Sequence, residues 1–82
     1  MPFWQNRQLL VRVQVDDDER YGDDFVGFMQ RARCIVLAQG EGTYEIFLAH
    51  DLPARLAFAE VGSYLLIWAR NTPGGHARLL ED

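Results

Sequence analysis

The pattern of apolar and polar residues is clearest in residues 34–50, where it predicts a β-hairpin. Residues 34–38 form an unbroken apolar run of strand length, and residues 43–49 alternate apolar with polar side chains. The connecting loop has Gly40 and Gly42 at its two ends, and glycine readily adopts the positive φ angles of tight turns. A lone hairpin is only marginally stable in water, so other segments must cover its edges and its apolar face.

Three further segments have the pattern of strands. Residues 8–16 alternate cleanly, which predicts a strand with one face in the core. Residues 63–70, SYLLIWAR, are almost all apolar, as in a strand that is covered on both faces. Pro73 and Gly74 suit the two central positions of a type II turn, so residues 76–80 can return as a short last strand.

Residues 51–61 predict one short helix. Asp51 is a suitable N-cap, and Pro53 falls in the first turn, where its missing N–H is not needed. Leu56 and Ala59 then lie on one side, and Gly62 follows as a stop signal. This pattern predicts a helix of about three turns between two strands.

Residues 24–33, DFVGFMQRAR, fit either a helix or a strand. As a helix, Phe25, Phe28 and Met29 form an apolar stripe, and Asp23 or Asp24 could cap its start. As a strand, the segment would run on into the hairpin with a bulge at its internal glycine. That glycine costs a helix about 1 kcal/mol relative to alanine, so local propensity does not decide between the two.

Two architectures of one 82-residue domain follow from these alternatives. If residues 24–33 are extended, the chain is a β-rich α+β fold: a five-stranded OB-like partly open barrel with one short helix between strands 3 and 4. If they are helical, the order is that of a ferredoxin-like βαββαβ sandwich with an extra C-terminal strand. We favour the barrel because the last strand is one of its five strands and no predicted strand is left over. In addition, the second helix looks too short to cover half of an open sheet.

Composition narrows the class of protein. A chain of 82 residues buries only roughly 60–65% of its unfolded surface, so oligomerisation would add stability. The single cysteine excludes an intrachain disulfide, which favours a reducing compartment such as the cytoplasm. We see no targeting segment, and the longest apolar run, residues 64–69, is too short to cross a membrane. These features predict a cytoplasmic protein with no membrane association.

The net charge of −4 is unevenly distributed, because six of the twelve acidic residues fall in one short segment. They are Asp16, Asp17, Asp18, Glu19, Asp23 and Asp24. Calcium-loop spacing fails here, since Tyr21 and Phe28 stand where oxygen ligands are needed. The segment is expected to be a solvated acidic loop that keeps the protein soluble; alternatively, it mimics phosphates and docks on a basic partner.

The sequence contains no recognisable catalytic or cofactor motif. Cys34 lies in an apolar strand, where a cysteine is most often buried and unreactive. His50 and His76 are far apart and give no zinc spacing, and no glycine-rich phosphate loop is present. We therefore expect a protein that is not an enzyme, with no cofactor and no metal.

The strand residues include more large apolar groups than one small core can hide, although many of them could simply be core. The candidate interaction residues are Arg12, Phe47, Tyr64, Leu66, Trp68 and Arg70. They favour an interaction or adaptor module that self-associates or binds a protein partner, since aromatic and arginine residues are common in binding hot spots. The alternative is an OB-like single-stranded nucleic-acid-binding protein, in which Trp68, Tyr64 or Phe47 stack on bases. The nucleic-acid backbone would then be followed by Arg12, Arg31, Arg33 and Arg70, although the acidic composition disfavours this alternative.

Overall fold

The computed structural model describes residues 10–48 and 53–80, whose elements follow the order βαββαβ. They are β1 (Leu10–Val15), α1 (Asp18–Arg31), β2 (Ile35–Gly40), β3 (Thr43–Phe47), α2 (Ala54–Asn71) and β4 (Ala77–Leu80). The four strands form one antiparallel sheet in the order β2-β3-β1-β4, and both helices pack on one of its faces.

The alternation in β1 explains why the sheet has one covered face. Val11, Val13 and Val15 are buried against the helices, and Val11 and Val13 lie opposite Ile46 and Tyr44 of β3, which are also buried. Side chains of a strand alternate between the two faces, so the residues between these point away from the helices. The strand predicted for residues 8–16 is confirmed over β1; residues 8 and 9 lie outside the described part.

The predicted hairpin is confirmed as β2 and β3. All three residues of its loop have positive φ, at +96° for Gly40, +56° for Glu41 and +80° for Gly42. Glycine is required at Gly42 for a second reason: a Cβ there would lie 2.7 Å from the carbonyl oxygen of Val15. The loop therefore packs directly on the end of β1.

The helix α1, Asp18–Arg31, takes in most of the acidic segment and most of residues 24–33, so the expected acidic loop is wrong from Asp18 onward and residues 24–33 are not a strand. Phe25 and Met29 are completely buried in the core, and this burial outweighs the cost of Gly27 inside the helix. The predicted cap at Asp23 or Asp24 is also wrong, because the helix already begins at Asp18.

The predicted strand over residues 63–70 and the helix stop at Gly62 are both wrong, because α2 continues through them. Buried side chains recur along it at i, i+4, i+8 and i+11: Ala57, Val61, Leu65 and Trp68. At 18 residues, α2 is about 27 Å long, which is long enough to cover the sheet that a short helix could not. The proposed N-cap Asp51 and the histidine His50 lie outside the described residues.

The five-stranded barrel is therefore wrong. The described residues form four strands in one open sheet, and the segment that would have been the fourth barrel strand is helical. The architecture is compatible with the ferredoxin-like alternative, in which residues 76–80 supply the last sheet strand and not an extra one. The turn before it forms as predicted, with Gly74 at φ +85° and the Gly75 N–H donating to the Thr72 carbonyl at 2.8 Å. Neither described helix combines the length and hydropathy needed to cross a membrane.

Candidate interaction surface

The sheet has a second face, here called the open face, whose side chains point away from both helices. The register of the strands decides which side chains it carries. They are Ile35 and Leu37 of β2, Thr43, Glu45 and Phe47 of β3, Arg12 and Gln14 of β1, and Arg78 and Leu80 of β4. Two of the predicted interaction residues, Arg12 and Phe47, therefore lie on one surface.

Three apolar residues of the open face form a contiguous group, which we call the β2 patch: Ile35, Leu37 and Phe47. Ile35 is 55% exposed and Leu37 46% exposed, and Phe47, which lies directly opposite Ile35, is partly buried. Single exposed apolar side chains are common on protein surfaces, whereas adjacent ones on a flat face are typical of binding sites. The other exposed large apolar side chains of the described chain, Leu56, Leu66 and Ile67, lie on α2. The β2 patch is the candidate binding surface on the sheet, because its members are neighbours on one strand and across one strand pair.

An ion pair borders the patch. The Nε atom of Arg12 lies 3.8 Å from Oε2 of Glu45, and Glu45 is also the sheet neighbour of Leu37. Both side chains are partly exposed, so the pair contributes at most about 1 kcal/mol to stability. Its main effect is to place one positive and one negative charge side by side next to the patch.

The four other predicted interaction residues lie on α2, away from the open face. Trp68 is 1% exposed and belongs to the core, and Tyr64 is partly buried, with its hydroxyl donating to Glu60 at 2.6 Å. Leu66, at 69% exposed, and Arg70 lie on the outer side of the helix. The six residues do not share one surface, because residues 63–70 form part of a helix and not the predicted strand.

Two of the acidic residues hold the core in place. Asp18 accepts a hydrogen bond from the Tyr44 hydroxyl, and Asp24 accepts one from the Trp68 indole N–H at 2.8 Å. Asp24 also accepts a longer bond from the Thr72 hydroxyl at 3.4 Å. These carboxylates join α1 to the sheet and to α2, so they are more than a solvated surface.

The remaining acidic residues of the segment face solvent. Asp16, Asp17 and Glu19, together with Asp18 and Glu41, line an open cleft of about 710 Å³ between β1 and the hairpin loop. Within residues 10–48 and 53–80, no group of three or more histidine, cysteine or acidic side chains is arranged to hold a metal ion. The cleft is a negatively charged surface.

Three groups that could act as nucleophiles, Cys34, Tyr44 and Tyr64, are held in their protonated forms at neutral pH. Burial, with a smaller contribution from the nearby Glu60, raises the pKa of Cys34 to about 11. A hydrogen bond to Glu60 and then burial raise the pKa of Tyr64 to about 12. Burial, followed by the bond to Asp18, raises the pKa of Tyr44 to about 12. None of these groups is therefore activated for attack on a substrate.

No protein family, curated protein or solved structure matches this chain. Function must therefore be inferred from the geometry of the surface, and Ile35 and Leu37 are the residues that sequence reasoning missed. Their signal was present: both lie at alternate positions of the apolar hairpin strand. The sequence could not show that this strand lies at the edge of the sheet, with one of its faces uncovered.

Proposed function

We propose that this protein is a non-enzymatic interaction module that forms a homodimer through the β2 patch. The observation that carries the proposal is the contiguous exposure of Ile35 and Leu37 beside Phe47 on a sheet face that no described element covers. Apolar side chains arranged in this way gain free energy when another protein surface removes them from water.

A second copy of the chain is the occupant that the charges favour. β2 contains no charged residue, so two β2 patches can meet without like charges facing each other. The bordering Arg12 and Glu45 have opposite signs and pair within one copy, so together they place no net charge beside the patch. The net charge of −4 opposes association only weakly, because physiological salt screens charges beyond about 8 Å.

The expected dimer is weak. Complete burial of an aliphatic side chain stabilises by about 1.5–3 kcal/mol, so burying the exposed half of Ile35 or Leu37 contributes on the order of 1 kcal/mol each. β2 has six residues and is therefore about 20 Å long, and two strands are about 10 Å wide, so a contact confined to the β2 patch covers roughly 200 Å² on each copy. This is below the roughly 1,200 Å² of a stable interface, so we expect a dissociation constant in the micromolar range.

The test is the dimerisation constant of Leu37→Ser, measured by sedimentation equilibrium over a range of micromolar concentrations. Each dimer loses two apolar contacts, so its dissociation constant should rise roughly 30-fold, equivalent to about 2 kcal/mol. Leu66→Ser is the matched control, because Leu66 is even more exposed but lies on α2. A wild-type protein that stays monomeric, or a Leu66→Ser variant that dissociates as readily as Leu37→Ser, would contradict the proposal.

Single-stranded nucleic acid is the competing ligand that the same experiment should include. Sheets that bind RNA present aromatic side chains that stack on two or three bases, whereas in the described chain the open face presents one, Phe47. A titration with fluorescently labelled single-stranded DNA at several salt concentrations measures this binding directly. Micromolar binding by a monomer, with affinity that falls steeply as salt rises, would replace the proposed function.

A further inference from the structure

Backbone geometry points to a specific way for two copies to join. We propose that β2 of one copy pairs antiparallel with β2 of a second copy, extending two four-stranded sheets into one continuous sheet. This inference rests on the proposed homodimer and specifies its contact. It is carried by the outward backbone groups of β2, which no described strand pairs with and which are independent of the exposed side chains.

The hydrogen-bonding direction of β2 follows from that of its neighbours. The N–H of Val15 in β1 donates to the carbonyl of Gly42 at 2.8 Å, so Gly42 turns its backbone groups toward β1. Successive residues of an antiparallel strand turn these groups to opposite sides, so Glu45 turns its own toward β2. Leu37, which pairs with Glu45, therefore directs its N–H and C=O into the β2–β3 ladder.

The neighbours of Leu37 turn the opposite way. Val36 and Ala38 direct their N–H and C=O groups to the outer side of β2, and β2 is the first strand of the sheet, with no described strand beyond it. Such a row of backbone donors and acceptors is a template for another extended strand.

The two edges of the sheet differ in how well they resist pairing. At the other edge, β4 has only four residues and carries the charged Arg78. β2 has six residues, five of them exposed, and contains neither charge nor proline. Short length, charge and proline are devices that keep edge strands from associating, and β2 has none of these three. It does contain a register shift against β3 between Ala38 and Gly40, which lies at the hairpin end of the strand and leaves Ile35 to Ala38 in regular register. This edge also carries two residues of the β2 patch.

One register uses all the outward groups. With the two-fold axis at Leu37, Val36 of each copy lies opposite Ala38 of the other, giving four intermolecular hydrogen bonds. A register centred on Val36 would need the N–H of Cys34, which already donates to the Met29 carbonyl at 3.0 Å. A register centred on Ala38 would need Gly40, which has φ +96° in the hairpin turn. The axis at Leu37 is therefore the favoured one.

This register makes a prediction for disulfide trapping. Leu37 of one copy would face Leu37 of the other in a non-hydrogen-bonded pair with Cα atoms about 4.5 Å apart, within the range that a disulfide spans. We therefore expect Leu37→Cys to form a disulfide-linked dimer under mild oxidation. The background is Cys34→Ala, which removes the native thiol. Leu66→Cys in the same background is the control for random collisions and should cross-link several-fold more slowly.

Proline substitution tests the backbone hydrogen bonds themselves. Ala38→Pro removes an N–H that points out of the sheet, so it should be tolerated within one copy and block pairing between copies. Losing two of the four bonds should raise the dissociation constant about 30-fold or more. Ala77→Pro is the matched control at the other edge. The carbonyl of the preceding His76 accepts from Asp16 and so faces β1, which turns Ala77 outward.

The outcomes separate this inference from the proposed function. A wild-type monomer overturns both. A dimer that is weakened by Leu37→Ser, but whose Leu37→Cys variant cross-links no faster than Leu66→Cys, keeps the proposed function and overturns edge pairing. If Ala38→Pro dimerises as strongly as the wild type, edge pairing is likewise overturned and the proposed function is kept. Circular dichroism of each variant shows that it is folded, and if Ala38→Pro does not fold, the disulfide rates decide.

Discussion

The hydrogen bond between Asp24 and Trp68 gives the sharpest test of how the helices are held together. The indole N–H of Trp68, a residue only 1% exposed, donates to Oδ2 of Asp24 at 2.8 Å across the α1–α2 contact. The indole also packs edge-to-face on Phe25, with ring centroids 5.3 Å apart. Asp24→Ala removes the acceptor and leaves the ring in place.

The magnitude follows from the charge on the acceptor. A hydrogen bond to a charged group contributes about 1.5–3 kcal/mol, and an unsatisfied buried N–H is similarly unfavourable. Because Asp24 is exposed and water can partly replace it, we expect Asp24→Ala to destabilise by about 2 kcal/mol. Asp24→Asn keeps a neutral acceptor and should lose about half as much. In a domain of this size, 2 kcal/mol lowers the Tm by roughly 8–16 °C.

The assay is urea unfolding followed by far-ultraviolet circular dichroism, which does not depend on the tryptophan. Asp23→Ala is the matched control, a neighbouring exposed carboxylate in the same helix, and should change stability by less than about 0.5 kcal/mol. Repeating Asp24→Ala in a Trp68→Phe background completes a double-mutant cycle. If Asp24→Ala destabilises equally in both backgrounds, or no more than Asp23→Ala, the bond does not join the helices.

Two further predictions concern the contact between α1 and β3. Gly22→Ala would place a Cβ 2.6 Å from the Tyr44 hydroxyl, so we expect it to destabilise by about 1–3 kcal/mol in urea unfolding. The control Gly27→Ala, 3.4 Å from a flexible arginine, should instead stabilise by up to about 1 kcal/mol, and the reverse order would contradict this packing. The second prediction is alkaline sensitivity. The pKa of Tyr44 rises from 10.0 to about 12 on folding, so its stabilising contribution is complete below pH 10 and is lost as pH rises through 12. Tyr44→Phe should show a smaller loss of unfolding free energy over this interval, because Tyr64 still contributes; an unchanged loss would refute the assignment.

The sheet residues were predictable because their pattern is local. The alternation in β1 and the glycine-bounded loop of the hairpin each specify a strand or turn within a few residues, and the structure confirms both. In residues 63–70 the same approach failed. An apolar run of eight residues fits a strand as well as it fits part of a helix, and only the spacing of Val61, Leu65 and Trp68 over a longer window reveals the helical period.

The first turns of α1 could not be predicted, because their stability comes from distant partners. A run of aspartates is unfavourable inside an isolated helix, although acidic residues are favourable in its first turn. Here Asp18 and Asp24 accept hydrogen bonds from Tyr44 and Trp68, which are 26 and 44 positions away in the chain. No local window contains those partners, so the segment looks like a solvated loop until the tertiary structure brings them together.

The candidate surface depends on topology in the same way. Phe47 and Arg12 could be placed on the uncovered side of their strands, because each alternates with buried neighbours. Ile35 and Leu37 belong to a strand that is apolar at every position from 34 to 38, which indicates burial on both faces. The strand order β2-β3-β1-β4 instead puts this strand at the edge of the sheet, and no described helix covers its open face. β2 is as apolar as a strand at the centre of a sheet, yet it lies at the edge of this one. Its composition is explained if the sheet of a second copy continues beyond it, and the cross-linking of Leu37→Cys would detect this arrangement.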